Sequence, residues 1–136
     1  MDFEAAKRGN ENVSTPREMT KLLEAVYKRR ALNQELTGEF IRQLSTLKES
    51  ELQHDMPEGV QVANKPGNLK GVRTDSGIIF ARNRPFAISV MTENARNIHV
   101  ASARICSIAL DAFHYFEMRG KTSEYGRVLQ QSAPAK

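Results

Sequence analysis

Val62-Ala63-Asn64-Lys65-Pro66-Gly67-Asn68-Leu69-Lys70-Gly71-Val72-Arg73-Thr74-Asp75-Ser76-Gly77-Ile78-Ile79 marks the point where the hydrophobic period changes from near 3.6 to near 2. The alternation around it predicts one strand over Val60–Lys65 and another over Ser76–Arg82. Pro66 has no N–H to give to a ladder, so its nitrogen must face an open strand edge. If the strand stays extended, the N–H of Asn68, two residues on, faces that same edge. Lys65 sets an ammonium group beside it, and Gly67 lets another molecule approach the backbone closely. Such an edge suits an anionic, peptide-like ligand that adds as a further strand. The competing reading of Lys65-Pro66-Gly67 is an ordinary turn leading into a loop.

Working outward, Pro85–Thr92 reads as a third strand, joined to the second by a short turn around Asn83, so these two should form an antiparallel hairpin. Both parities of the strands are apolar, which calls for cover on both faces of the sheet. A long helix from about Asn97, with Ile98, Ala101, Ile105, Ile108, Ala112 and Phe116 at steps of 3 or 4, can cover one face; Gly120 is its expected stop. Upstream, Thr15-Pro16-Arg17-Glu18 combines a cap, a proline suited to the first helical position and a reciprocal glutamate, predicting a helix from Pro16 to about Arg30. A second helix follows Asn33 with Leu36, Phe40, Ile41, Leu44 and Leu47 as its expected buried stripe, and Gly38 weakens it by roughly 1 kcal/mol relative to Ala. Glu49–Gly59 reads as a connecting loop. The fold class is therefore α+β: a three-stranded antiparallel sheet, two N-terminal helices and a long C-terminal helix. The helix pair must fold onto the second face, and both outer strand edges stay bare unless a partner supplies them. The expected organisation is a lead over residues 1–13, a domain over 14–120 and a loose tail over 121–136.

At 136 residues, with 40% hydrophobic and 26% charged, the chain is one domain's worth of folded protein and not a disordered or fibrous class. Lys plus Arg is 20 against 16 acidic residues, but the basic residues come as scattered short groups such as Lys28-Arg29-Arg30, a solvated surface and not a nucleic-acid stripe. Cys106 is the only thiol, so no intrachain disulfide and no cysteine-rich zinc site is expected, and it reads as a small buried hydrophobe. No membrane span is expected, and Met1–Arg8 lacks the apolar centre of a signal peptide.

Lys65-Pro66-Gly67, with Gly71-Val72-Arg73-x-Asp75-x-Gly77-Ile78 after it, resembles the Lys-Thr/Ser-Gly element and following strand of class A serine β-lactamases and their penicillin-recognising relatives. The order of the surrounding elements agrees. The resemblance runs from roughly Asn12 to Met118 and corresponds to the C-terminal part, about half, of a complete family member. It implies that Lys65 holds a substrate carboxylate, that the N–H of Asn68 is one of two oxyanion donors, that Gly67 keeps the edge accessible and that Arg73 is a second carboxylate anchor. Pro66 stands where the family has Thr or Ser. That removes a hydroxyl hydrogen bond to the carboxylate, worth roughly 1.5 to 3 kcal/mol because one partner is charged. Glu4 falls where the family's Ω-loop glutamate, which activates the deacylating water, would lie. Family members are usually exported, whereas no leader is seen in this sequence.

The family nucleophile lies in a Ser-x-x-Lys motif upstream, followed by Ser-Asp-Asn. No Ser-x-Asn or Tyr-x-Asn occurs here, and the formal Ser45-Thr46-Leu47-Lys48 sits in the wrong place in the family order. With nine Ser and eight Lys, chance alone supplies about half of one such match. His54, His99 and His114 have no metal-ligand spacing among themselves, so neither a metal nor a cofactor is expected. The resulting expectation is a class A β-lactamase-like serine hydrolase fragment, inactive alone, whose parent takes a β-lactam or a cell-wall peptide. The alternatives are a relative acting on D-Ala-D-Ala peptides and a non-catalytic binding module; self-association through exposed strand edges accompanies any of them.

Overall fold

The computed structural model describes residues 13–46 and 49–123. Helix α1 (Pro16–Tyr27) opens with the predicted capping box: Thr15 Oγ1 accepts from the Glu18 N–H at 3.2 Å, and Glu18 Oε2 accepts from the Thr15 N–H at 2.9 Å. It stops three residues before the expected Arg30. Arg29 turns left-handed at φ 57°, its N–H donates to Val26 O, and the Arg30 N–H donates to Ala25 O, a Schellman closure made without glycine. Helix α2 (Gln34–Leu44) starts at Asn33, whose side chain accepts from the Leu36 N–H. The predicted loop over Glu49–Gly59 instead contains a one-turn helix, α3 (Glu51–His54). Its Leu52 is fully buried and anchored by a contact far away in sequence, so no local periodicity announces it.

Strand β1 (Val62–Leu69) runs through Pro66 and Gly67, and β2 (Val72–Ile79) starts four residues earlier and ends three earlier than predicted. The reason is a two-residue turn, Lys70-Gly71, with Gly71 at φ 73°, which folds the two strands into an antiparallel hairpin with Leu69 opposite Val72. Strand β3 (Phe86–Thr92) pairs antiparallel with β2 as expected, after a turn with Asn83 at φ 61°. The sheet order is β1-β2-β3. Helix α4 (Ile98–Gly120) closes the fold. Gly120 is its last residue and not a positive-φ stop: a Cβ there would lie 2.3 Å from Arg82 O, so the glycine answers to close packing.

Cover comes on both faces, as the apolar parities demand. Helices α1 and α2 lie over one face, α1 on β2 and β3 and α2 on β1, while α3 and α4 lie on the other. There Leu52, Val62, Ile79, Ala81, Phe86, Ile105, Ala109 and Phe113 form the main core. Gly77 sits at the tightest crossing in the hairpin, where a Cβ would come within 2.4 Å of Asn64 Cβ and 2.6 Å of Ala63 O. No helix among the described residues is long and apolar enough to cross a membrane.

Candidate functional site

A two-residue hairpin turn makes its flanking pair a hydrogen-bonded one, so with Leu69 opposite Val72 the odd residues of β1 point their N–H groups toward β2. The even residues point theirs away. Pro66 nitrogen and the Asn68 N–H therefore share the outer edge of β1, which has no neighbouring strand among the described residues. Pro66 interrupts nothing there, which is why the strand continues through it. Lys65 is exposed, and its Nζ donates to Pro66 O at 3.0 Å, so the ammonium group lies close along the backbone. Gly67 faces Thr74 across the hairpin; a Cβ would lie 2.5 Å from Thr74 Oγ1.

Arg73 pairs with Asn68 across the strands, so the two share a face. Side chains alternate along a strand, which puts Lys65 on the α1/α2 face and Arg73 on the α3/α4 face. The two cations do not converge. The Arg73 guanidinium instead donates from Nη1 to Val72 O at 3.2 Å and Leu69 O at 3.4 Å, and Nε stands 3.9 Å from Glu51 Oε1. Glu51 Oε1 also accepts from Ser102 Oγ at 2.9 Å. Arg73 thus ties β2 to α3, and through Glu51 to α4. Glu4 lies outside the described residues.

Ser45 caps α2: its hydroxyl donates to Ile41 O at 2.8 Å and accepts from Gln61 Nε2 at 2.9 Å. Those bonds account for it as a structural residue; Leu47 and Lys48 lie outside the described residues.

Two features escaped the sequence reading. Asp75, fully buried, accepts from the Leu52 N–H at 3.0 Å and from Asn64 Nδ2 at 2.8 and 3.0 Å, so it pins α3 to the sheet. Burial pushes its carboxyl above the usual aspartate range; the hydrogen bonds from Leu52 and Asn64 pull the other way, and the Glu51 charge reinforces burial. The strand register, once known, puts Asn64 and Asp75 on one face; the sequence alone misplaced the start of β2. The second feature is an open cleft of about 830 Å³ beside this anchor, lined among others by Glu51, His54, Asn68, Arg73, Ser102 and Cys106. Cys106 is buried as expected, and burial, with Asp55 and Glu51 nearby, pushes its thiol up, so it is no activated nucleophile.

The sequence profile of the Beta-lactamase enzyme family matches residues 1–116. Among solved structures, a variant of the TLA-1 extended-spectrum β-lactamase is 26% identical with a TM-score of 0.74, covering 86% of this chain and 48% of that one. The β-lactamase from Sphaerobacter thermophilus is 27% identical at TM-score 0.72, covering 78% of this chain and 41% of its own. PBP-A, at 18% identity and TM-score 0.73, covers 80% of this chain and 42% of its own, and shows the shared fold alone. Curated protein sequences yield no match. The chain spans about half the length of the solved structures it resembles. A profile match over most of the chain, on a fold with this helix-sheet-helix order, establishes that the protein belongs to the β-lactamase enzyme family.

Proposed function

We propose that this chain supplies the carboxylate-gripping strand edge of a serine β-lactamase-like hydrolase site. The domain over 14–120 is the part that carries it, with 1–13 leading in and 121–136 trailing. In this reading a β-lactam, or an acyl compound of similar shape, lies along the outer edge of β1. Its carboxylate faces the Lys65 ammonium group and its carbonyl oxygen accepts from the Asn68 N–H. Gly67 adds no side chain between them. Pro66 contributes no hydroxyl, so recognition of the carboxylate is weaker by roughly 1.5 to 3 kcal/mol than at a Thr or Ser position. Glu4 is the proposed water-activating group of a complete site. Arg73 acts as an indirect anchor, holding α3 against the strand that carries the edge.

The observation that carries this reading is the β1–β2 register, which supports an outward Asn68 N–H next to Lys65. The reaction of a complete site needs a serine to attack the lactam carbonyl, open the ring and form an acyl-enzyme that water then cleaves. With no Ser-x-x-Lys in this sequence other than Ser45–Lys48, the chain binds without acylating. Incubation with benzylpenicillin should leave the protein mass unchanged, and a chromogenic cephalosporin should not turn over. Equilibrium dialysis with labelled penicillin should show binding that Lys65→Ala weakens about five- to tenfold, the loss of one exposed charge-assisted contact. A covalent adduct, or binding indifferent to Lys65→Ala, overturns the proposal.

A further inference from the structure

At the cleft on the α3/α4 face, two lining residues, His54 and Cys106, meet Asp55 in a group with a different chemistry. His54 ends α3, Asp55 follows it, and Cys106 reaches the same point from the middle of α4. One ligand-capable atom from each lies within 4.8 Å of the other two. His54 Nδ1 already stands 2.7 Å from Asp55 Oδ1. Cys106 is 8% exposed, whereas the side chains of His54 and Asp55 are 73% and 44% exposed. One wall is thus fixed and soft, and the other is free to close. A tetrahedral zinc ion, with bonds of about 2.0 Å to N or O and 2.3 Å to one S, holds its ligand atoms about 3.3 to 3.5 Å apart. A side-chain adjustment of roughly 1 Å, within the freedom of two exposed residues, reaches that spacing.

A second observation points the same way. Gln53 and Ser50 are among the residues that line this cleft, and Gln53 Oε1 and Ser50 Oγ are buried with no hydrogen-bond partner among the described residues. Buried polar atoms are normally satisfied, and a bound ion with its water would supply what they lack. We infer that His54, Asp55 and Cys106 form a binding site for one zinc-like divalent cation, with an imidazole, a carboxylate and a thiolate as ligands and the fourth position taken by water. On binding, the Cys106 thiol gives its proton to buffer and the metal–sulfur bond forms; nothing is oxidised. The spacing of the three histidines in sequence could not show this, because the partners of His54 are its own neighbour and a thiol on α4, far away in sequence. The inference stands apart from the ligand edge on β1.

Cobalt(II) titration of the metal-stripped chain tests it. One equivalent should produce a thiolate-to-cobalt charge-transfer band in the near ultraviolet and the intense visible bands of a tetrahedral ion, and one equivalent of zinc should bleach both. Cys106→Ser should abolish the charge-transfer band. His54→Ala, at an exposed position where folding is not at stake, should weaken zinc binding at least tenfold, while His114→Ala leaves it unchanged. Absence of the band in the wild-type chain, or zinc affinity that is the same in the wild type and His54→Ala, overturns the inference.

Discussion

Asp75 accepts from two buried donors, the Leu52 N–H and Asn64 Nδ2. Asp75→Ala orphans both, each costing about 1 to 3 kcal/mol, so urea unfolding should show a loss of about 2 to 6 kcal/mol and detachment of α3. Its raised pKa fixes the sign of a pH effect. The folded state favours the protonated carboxyl, so that contribution is present below the ordinary aspartate value, about 3.9, and is lost as pH rises through the folded value. Against Asp75→Asn, a neutral isostere, the relative stability of the wild type should therefore fall as pH rises over that interval. A relative stability that climbs instead would mean the hydrogen bonds outweigh burial at this carboxyl. Gly77 is the complementary case. With Asn64 Cβ and Ala63 O already inside the space of a Cβ, Gly77→Ala must push the hairpin strands apart at a cost of roughly 3 kcal/mol or more, which thermal melts would register as lost or broadened folding.

At the scale of elements, helix α2 contains its own test. Gly38 is exposed, and a Cβ there meets nothing within 4 Å, so Gly38→Ala should stabilise the chain by about 0.5 to 1 kcal/mol, read as a higher urea midpoint; destabilisation would mean that the glycine serves a contact the structure does not display. Where local chemistry determines an element, the sequence was sufficient. The Thr15–Glu18 capping box, the helix starts after Asn33 and near Asn97 and the apolar run of Phe86–Thr92 all needed only their own neighbours. Where tertiary contact determines it, the sequence was not. Arg29 takes the left-handed turn usually left to glycine, α3 exists because Leu52 is buried and tied to Asp75, and β1 outlasts Pro66 because the outer edge needs no donor. The site divides along the same line. Pro66 alone revealed which way the Asn68 N–H points, but Arg73 as a free anchor failed to foresee Glu51, which arrives from another element.

For the molecule as a whole, apolar side chains remain exposed on both outer surfaces: Leu22, Leu36 and Phe40 on α1 and α2, and Ile108, Tyr115 and Met118 on α4. Together with the outer edges of β1 and β3, they leave surface that a soluble monomer seldom shows. Sedimentation velocity of the purified chain should show concentration-dependent association that a β1-edge change such as Leu69→Lys reduces; a monomer across the whole concentration range, with a sharp melt, would contradict it. Ligand recognition by this chain rests on what meets the β1 edge. The most direct measurement is a benzylpenicillin titration followed by the backbone amide resonances of the labelled chain. Saturable shifts should be concentrated at Asn68 and Gly67 and move to about five- to tenfold higher ligand concentration in Lys65→Ala, the loss of one charge-assisted contact; shifts absent from that edge, or centred on α4 instead, would contradict a ligand on the β1 edge.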